Sequence, residues 1–362
     1  MAKIPKDKNV HSDGAPLQEG PVFSSAFHIE GNPDDAPYKY GRQGNPTWTR
    51  LEKKLGELEG GTSIVFPSGM AAIASVLTSF TKAGDTIILP NDGYYVTRLY
   101  AENYLEKYGV TLKFVDTPEM ENENLVGVRL IFLETPSNPN LDVCDIKKIT
   151  KAAKKTGTLV GVDNTALTYL GQRPLELGAD FSISSDTKAM NGHSDILFGH
   201  VTGLDETLMA EVRRWRELSG NIPGPMEAWL MDRGLQTFEL RFERQVANAN
   251  EIAVFLKTHF AVKSIRYPGL ENDPSYAIAK RQMKSFGFLI TFDLGTIEKA
   301  NEFLDKSQIL TNATSFGGVH SMAERRARWG TDDISEGAIR LSVGCEKLEV
   351  LIRDLTQALE AD

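Results

Sequence analysis

The strongest constraint on this chain is a repeated pattern. Short apolar runs at 63–66, 86–89, 111–115, 130–133, 159–162 and 181–184 are separated by stretches with room for a helix. Such alternation predicts a mostly parallel sheet with helices on both faces, an α/β fold. Beyond it, 208–218 reads as a helix, 220–225 as a break, and 226–260 as one long helix bridging into a second unit. There 264–267, 289–293 and 339–343 read as strands and 348–359 as a closing helix. A length of 362 residues suits one large domain and one smaller one. The expected division is an arm at 1–45, a large domain at 46–245 and a small C-terminal α/β domain at 246–362. No internal repeat is present.

Ligands of parallel sheets bind at the strand ends, so the loops there carry the candidates for chemistry. Helix 48–58, with Leu51, Leu55 and Leu58 at helical spacing, stops at Gly60-Gly61. After the first strand, Ser68-Gly69-Met70 turns into a new helix, where Gly69 permits close backbone approach and free N–H groups favour an anion. The later loops offer the phenol of Tyr94, the amide of Asn138 and the carboxylate of Asp163, with Thr165 two residues on. The loop after 181–184 offers Lys188 between small hydroxyl residues. A free lysine has a pKa of ~10.4, so a reactive one must be desolvated or placed beside positive charge. Otherwise Lys188 is a solvated surface residue. In the arm, Tyr40 and Arg42 are suited to gripping phosphate or simply form a surface turn. Arg340, between Ile339 and Leu341, needs an anionic partner, either a structural carboxylate or that of a substrate.

Composition excludes several alternatives. Hydrophobic residues at 41% and charged residues at 25% are ordinary for a soluble globular protein, and a net charge of −9 argues against nucleic-acid binding. Two cysteines, Cys144 and Cys345, make neither a disulfide framework nor a metal site, which fits a reducing cytoplasm. Residues 1–9 have no apolar run behind them, and no stretch approaches the ~20 apolar residues of a membrane span. His11, His28, His200 and His259 lack metal-ligand spacing and read as structural or exposed.

In these segments the chain resembles the Cys/Met-metabolism family of pyridoxal phosphate (PLP) enzymes over nearly its whole length. The motifs are YGRQGNPT (40–47), SGMAA (68–72), ETPSNP (134–139), VDNT (162–165), SDTKAMNGHSD (185–195) and RLSVG (340–344). The resemblance implies PLP fold type I, which is the aspartate-aminotransferase-like fold, a homotetramer and an amino-acid substrate. It makes Lys188 the covalent anchor and proton carrier, and Asp163 the partner of the pyridine nitrogen. Tyr94 would stack on the ring and act as acid or base, which requires a phenol pKa lowered by nearby positive charge. Gly69 and Met70 amides, with Ser185 and Thr187 hydroxyls, would hold the phosphate. Thr165 would belong to the same cofactor site. Tyr40 and Arg42 would reach the phosphate of a neighbouring subunit. Arg340, with Asn138 and Ser315, would grip the substrate carboxylate.

Two departures bear on the substrate. Tyr95-Val96 adds bulk beside Tyr94, and His320, in SFGGVHS (315–321), stands where γ-acting members commonly carry glutamate. His320 is then either a reader of the substrate's distal end or a hydrogen-bonded wall residue. The implied activity is carbon–sulfur lysis, foremost γ-elimination of L-cystathionine to cysteine, 2-oxobutanoate and ammonia. β-Elimination and γ-replacement stay open. A non-catalytic ligand-binding member of the fold would lack one of Lys188, Asp163, Tyr94 or Arg340, and all four are present.

Overall fold

The computed structural model describes residues 17–360; residues 1–9 and His11 lie outside them. The large sheet is built from β1 (Thr62–Phe66), β2 (Thr86–Pro90), β3 (Thr111–Val115), β4 (Val128–Glu134), β5 (Leu159–Asp163), β6 (Phe181–Ser184) and β7 (Gly199–Gly203). Their order is β1-β7-β6-β5-β4-β2-β3. Only β7 runs against its neighbours. Around this sheet lie α1 (Pro46–Glu59), α2 (Gly69–Ser79), α3 (Tyr95–Tyr100), α4 (Ile146–Thr156), α5 (Thr168–Gly171) and α6 (Glu206–Ser219).

The alternation of side chains across a strand divides the apolar residues between two layers. Ile87, Leu89, Leu130 and Phe132 pack with Ile73, Val76 and Leu77 of α2 and with Val212 of α6. Ile88, Ile131, Leu133, Val160 and Val162 face the other way, onto Ile146, Ile149 and Ala153 of α4. Runs apolar at every position are therefore what a sheet covered on both faces requires.

The expected run of strands lacks β7, whose sequence Gly-His-Val-Thr-Gly has one apolar residue. Its polar side chains are paired with residues distant in the chain: Thr202 Oγ1 with Ser63 Oγ at 2.5 Å, and His200 Nδ1 with Asp186 Oδ1 at 2.8 Å and Oδ2 at 2.9 Å. His200 is thus buried and structural.

The expected single helix over 226–260 is two helices, α7 (Pro225–Leu235) and α8 (Phe238–Thr258). The break follows from packing. A Cβ on Gly234 would lie 2.9 Å from the Asn191 carbonyl oxygen, and the Gly234 carbonyl accepts from Arg241 Nη2 at 2.9 Å as well as from Thr237 N at 3.3 Å. Helix α8 carries the chain to the second sheet, so the expected division at 245/246 falls inside a helix.

The second sheet contains β8 (Ser264–Arg266), β9 (Leu289–Asp293), β10 (Thr311–Asn312), β11 (Met322–Arg325) and β12 (Ala338–Ser342), in the order β10-β11-β12-β9-β8. It is accompanied by α9 (Tyr276–Gln282), α10 (Ile297–Lys306) and α11 (Leu348–Leu359). The short β10 and β11 were not expected, since β11 carries charged Glu324 and Arg325. One continuous apolar core joins Trp48, Leu51 and Leu55 of α1 to Phe288 and to Ile290 of β9, Ile339 of β12 and Leu355 of α11. Among the described residues no helix is long and apolar enough to cross a membrane.

Candidate active site

At the carboxyl ends of the large sheet's parallel strands lies a cavity of about 430 Å³ that also meets the second sheet. That size falls in the ~300–1,000 Å³ range of small-molecule sites. Gly69, Met70, Tyr94, Asn138, Asp163, Thr165, Ser185, Thr187, Lys188, Ser315 and Arg340 all line it. Residues spread over 272 positions of sequence thus meet at one place, between Gly69 and Lys188 on one unit and Arg340 on β12.

The floor is the start of α2. Ser68 caps this helix, its Oγ accepting from Ala71 N at 3.1 Å. A Cβ on Gly69 would fall 2.5 Å from Ser185 Cβ and 2.7 Å from Ser185 Oγ, so only glycine allows the helix end to approach the Lys188 loop this closely. The Thr187 hydroxyl is engaged with backbone: it donates to Phe198 O at 3.2 Å and accepts from Phe198 N at 2.9 Å.

Lys188 is held inside the cavity. Its Nζ donates to Ser315 Oγ at 2.9 Å and lies 5.1 Å from the Phe316 ring centroid. Burial and the nearby Arg340 charge pull its pKa down to about 8, against the opposing pull of Asp163 and Glu324. At pH 7 about a tenth of the amine is therefore neutral, far more than for a free lysine.

Asp163, at the end of β5, receives Thr165 N at 3.0 Å and Thr165 Oγ1 at 2.5 Å, both on Oδ1. Oδ2 has no hydrogen-bond partner among the described residues. Burial raises the Asp163 pKa, with the Thr165 bonds and Lys188 opposing. Beside it in register on β4 is Glu134, whose carboxyl burial and Asp163 hold well above the usual carboxylate range. Glu134 Oε2 accepts from Tyr94 N at 2.6 Å and so fixes the Tyr94 turn.

The phenol of Tyr94 departs from expectation. Its pKa is raised, first by burial and then by Tyr95 and Glu134, while Arg326 pulls the other way. The positive charge present does not outweigh desolvation, so the hydroxyl is a proton donor near neutral pH.

Arg340 meets both kinds of partner considered for it. Its guanidinium is buried, pairs with Glu324, and donates from Nη1 to Asn138 Oδ1 at 2.7 Å and from Nη2 to Ser315 O at 2.9 Å. It also lines the cavity, and burial brings its pKa down to about 10 despite Glu324. Ser315 has φ 88°, a left-handed backbone that for a non-glycine residue costs ~1–3 kcal/mol, and it places hydroxyl and carbonyl on Lys188 and Arg340 at once.

Three expected residues do not line this cavity. His320 is exposed, carried outward beyond Gly317, which has φ 80°. Tyr40 and Arg42 line a separate hollow with Phe23, Ile222 and Pro223, where Arg42 Nη1 donates to Glu217 O at 2.6 Å. Conversely, Glu324 and the wall residues Arg326 and Trp329 were not singled out from sequence. The nearest signal was a glutamate followed by arginines and a tryptophan at 324–329.

These residues fit PLP. The Gly69 cradle at a helix start suits its phosphate, the unpartnered Asp163 Oδ2 suits a protonated pyridine nitrogen, and the Lys188 amine suits its aldehyde.

Comparison with known proteins agrees. The family described as Cys/Met metabolism PLP-dependent enzyme matches residues 3–360. A Streptomyces coelicolor protein named "Putative cystathionine gamma-lyase" is 50% identical, with 95% of this chain aligned to 89% of that one. The L-methionine gamma-lyase of Fusobacterium nucleatum subsp. nucleatum is 40% identical, over 90% of this chain and 87% of that one. Cystathionine gamma synthase from Xanthomonas oryzae pv. oryzae, solved in complex with cystathionine, superposes with a TM-score of 0.92 at 35% identity, covering 96% of this chain and 94% of that one. By matched length, by fold and by the donor set around Lys188, the chain belongs to the Cys/Met metabolism PLP-dependent enzymes, with PLP fold type I.

Proposed function

We propose that the protein is a carbon–sulfur lyase whose main reaction is γ-elimination, converting L-cystathionine and water to cysteine, 2-oxobutanoate and ammonia. The observation that carries this reading is a pair of titratable groups pushed apart across one cavity: a lysine brought down to about 8 and a tyrosine held above its ordinary value. Around pH 8 a large share of the lysine is neutral and can take a proton, while the tyrosine still holds one to give. The 50% identity to the Streptomyces coelicolor protein supports the choice of substrate.

PLP, when bound, supplies the electron sink for the Cα–H bond pair. Lys188 Nζ would take the proton from Cα, hand it to the carbon that joins cofactor and substrate nitrogen, and so be free to take one from Cβ, which would let the bond to the γ-sulfur break. Tyr94 Oη gives its proton to the departing sulfur. Asp163 keeps the cofactor ring protonated, and Arg340, supported by Asn138 and Ser315, fixes the substrate carboxylate so that the Cα–H bond stands toward Lys188. The test is purified protein with L-cystathionine and mass-spectrometric identification of products. Cysteine with 2-oxobutanoate is expected; homocysteine with pyruvate would mean β-elimination and overturn the assignment.

In the assembled enzyme, a homotetramer, the arm presents Tyr40 and Arg42 to the phosphate of a neighbouring subunit. Their position off their own chain's cavity, with Tyr40 half exposed, supports this. Replacing Arg42 with Ala is expected to speed loss of PLP on dialysis by about tenfold, the worth of a charge-assisted hydrogen bond. Unchanged retention would confine Arg42 to the surface turn.

A further inference from the structure

Resting on the reading of a thioether substrate, we infer that Arg326 is the specificity-determining residue that takes the carboxylate carried by the leaving half of that substrate. The leaving sulfur must lie near Tyr94, and Arg326 lines the same cavity, where its charge reaches that phenol. The cavity that Tyr94 lines is also walled by Arg326 and Trp329, from the segment following β11. His320, the residue that the family resemblance offered as one candidate for the distal end, is exposed and outside the cavity.

The guanidinium is built to receive an anion. Although Arg326 is only 5% exposed, it reaches the cavity wall. Its Nη1 donates to Glu324 Oε1 at 3.0 Å and its Nε to Asp332 Oδ2 at 3.1 Å, while Nη2 pairs with the same Asp332 oxygen. Three of its five N–H groups are thereby committed, leaving one on Nη1 and one on Nη2 without a protein partner among the described residues. The committed bonds also hold the fork in place before the ligand arrives, so little side-chain freedom is lost on binding.

Glu324 places this fork relative to the other carboxylate site. Its Oε1 accepts from Arg326 and also pairs with Arg340, and its Oε2 accepts from Trp329 Nε1 at 3.0 Å. One buried carboxylate therefore sets the spacing of two guanidiniums that open on the same cavity. A substrate with a carboxylate at each end matches two such cations; a thioether with a plain alkyl leaving group satisfies one.

The experiment compares L-cystathionine with S-(2-aminoethyl)-L-homocysteine, which lacks only the distal carboxylate. For each compound, kcat/KM comes from 2-oxo acid release and Kd from the change in visible absorbance of the bound cofactor, a readout that needs no turnover. The protein as it stands is expected to favour cystathionine by about 10- to 100-fold, the range for a hydrogen bond to a charged group. The paired variant Arg326→Gln/Asp332→Asn, which avoids a lone buried charge, is expected to lose that factor on cystathionine and to stay within about threefold on the aminoethyl compound.

Equal treatment of the two compounds by the unaltered protein would overturn the inference without reference to any variant's folding. Equal losses on both compounds in the variant would overturn it too, assigning Arg326 to the fold alone. Homocysteine and pyruvate as products would remove γ-elimination and make homocysteine the leaving half; the comparison is then with S-(3-aminopropyl)-L-cysteine, which lacks only that half's carboxylate, and equal treatment of it and cystathionine would overturn the role of Arg326. If neither compound is turned over, the Kd ratio still decides the matter.

Discussion

Stability should fall between pH 6.5 and 8 because of His200. Burial opposes its charged form, but the Asp186 carboxylate, at 2.8 and 2.9 Å, and Glu59, at 3.4 Å, outweigh burial and raise its pKa to about 10. In the unfolded chain the value is ~6.5. A folded-state pKa above the unfolded one gives stability that is complete below pH ~6.5, declines above it, and is gone once pH passes the folded value near 10. The slope in that window is ~1.4 kcal/mol per pH unit, so about 2 kcal/mol disappears between pH 6.5 and 8.

The window matters, because Lys188 acts in the opposite direction. Its folded pKa of about 8 lies below its unfolded value, so its contribution grows with pH above 8 and masks the loss from His200. Urea midpoints for the PLP-free protein at pH 6.5, 7.25 and 8 read the effect before that compensation begins. Replacing Asp186 with Asn removes the main charge that raises His200. The variant is expected to be less stable by roughly 3 kcal/mol at pH 6.5 and to have a much flatter profile. A flat profile in the unaltered protein, or the same slope in Asp186→Asn, would refute the reasoning.

Two further outcomes follow from the cavity. Gly69→Ala forces Ser185 aside, since the new Cβ would stand 2.5 Å from Ser185 Cβ; a loss of ~1–3 kcal/mol in stability and at least about tenfold weaker PLP binding by absorbance titration are expected. Gly20→Ala, with nothing within 4 Å, is the control and should leave PLP affinity unchanged. Lys188→Ala should abolish PLP retention through denaturing gel filtration after borohydride reduction, and label persisting on the chain would move the anchor elsewhere.

How much of this was legible beforehand depended on where each residue's partner lay. The strands of the parallel core were readable because they are buried on both faces, which leaves a mark in the strand itself. Strand β7 was not, since His200 and Thr202 owe their burial to Asp186 and Ser63, and nothing within Gly199–Gly203 announces it. The break between α7 and α8 was hidden in the same way, being set by Gly234 against Asn191. Lys188, Asp163 and Tyr94 stood out as polar residues just beyond apolar strands. The proton state of Tyr94 did not, because desolvation is a property of the assembled cavity. Arg326 and Trp329 acquire meaning only through Glu324, on a strand hidden by its charged residues.

The apolar core that runs without interruption from α1 to β12 has a mechanical consequence. The ring centroid of Phe316, a member of that core, stands 5.1 Å from Lys188 Nζ and 5.3 Å from Arg340 Cζ, so the anchor of one sheet and the clamp of the other bear on a common post. Two bodies sharing one packed interior have no joint to swing about. Heating should then remove the alignment of base and clamp in the same calorimetric step that melts the protein, with no earlier stage of loosened but folded enzyme.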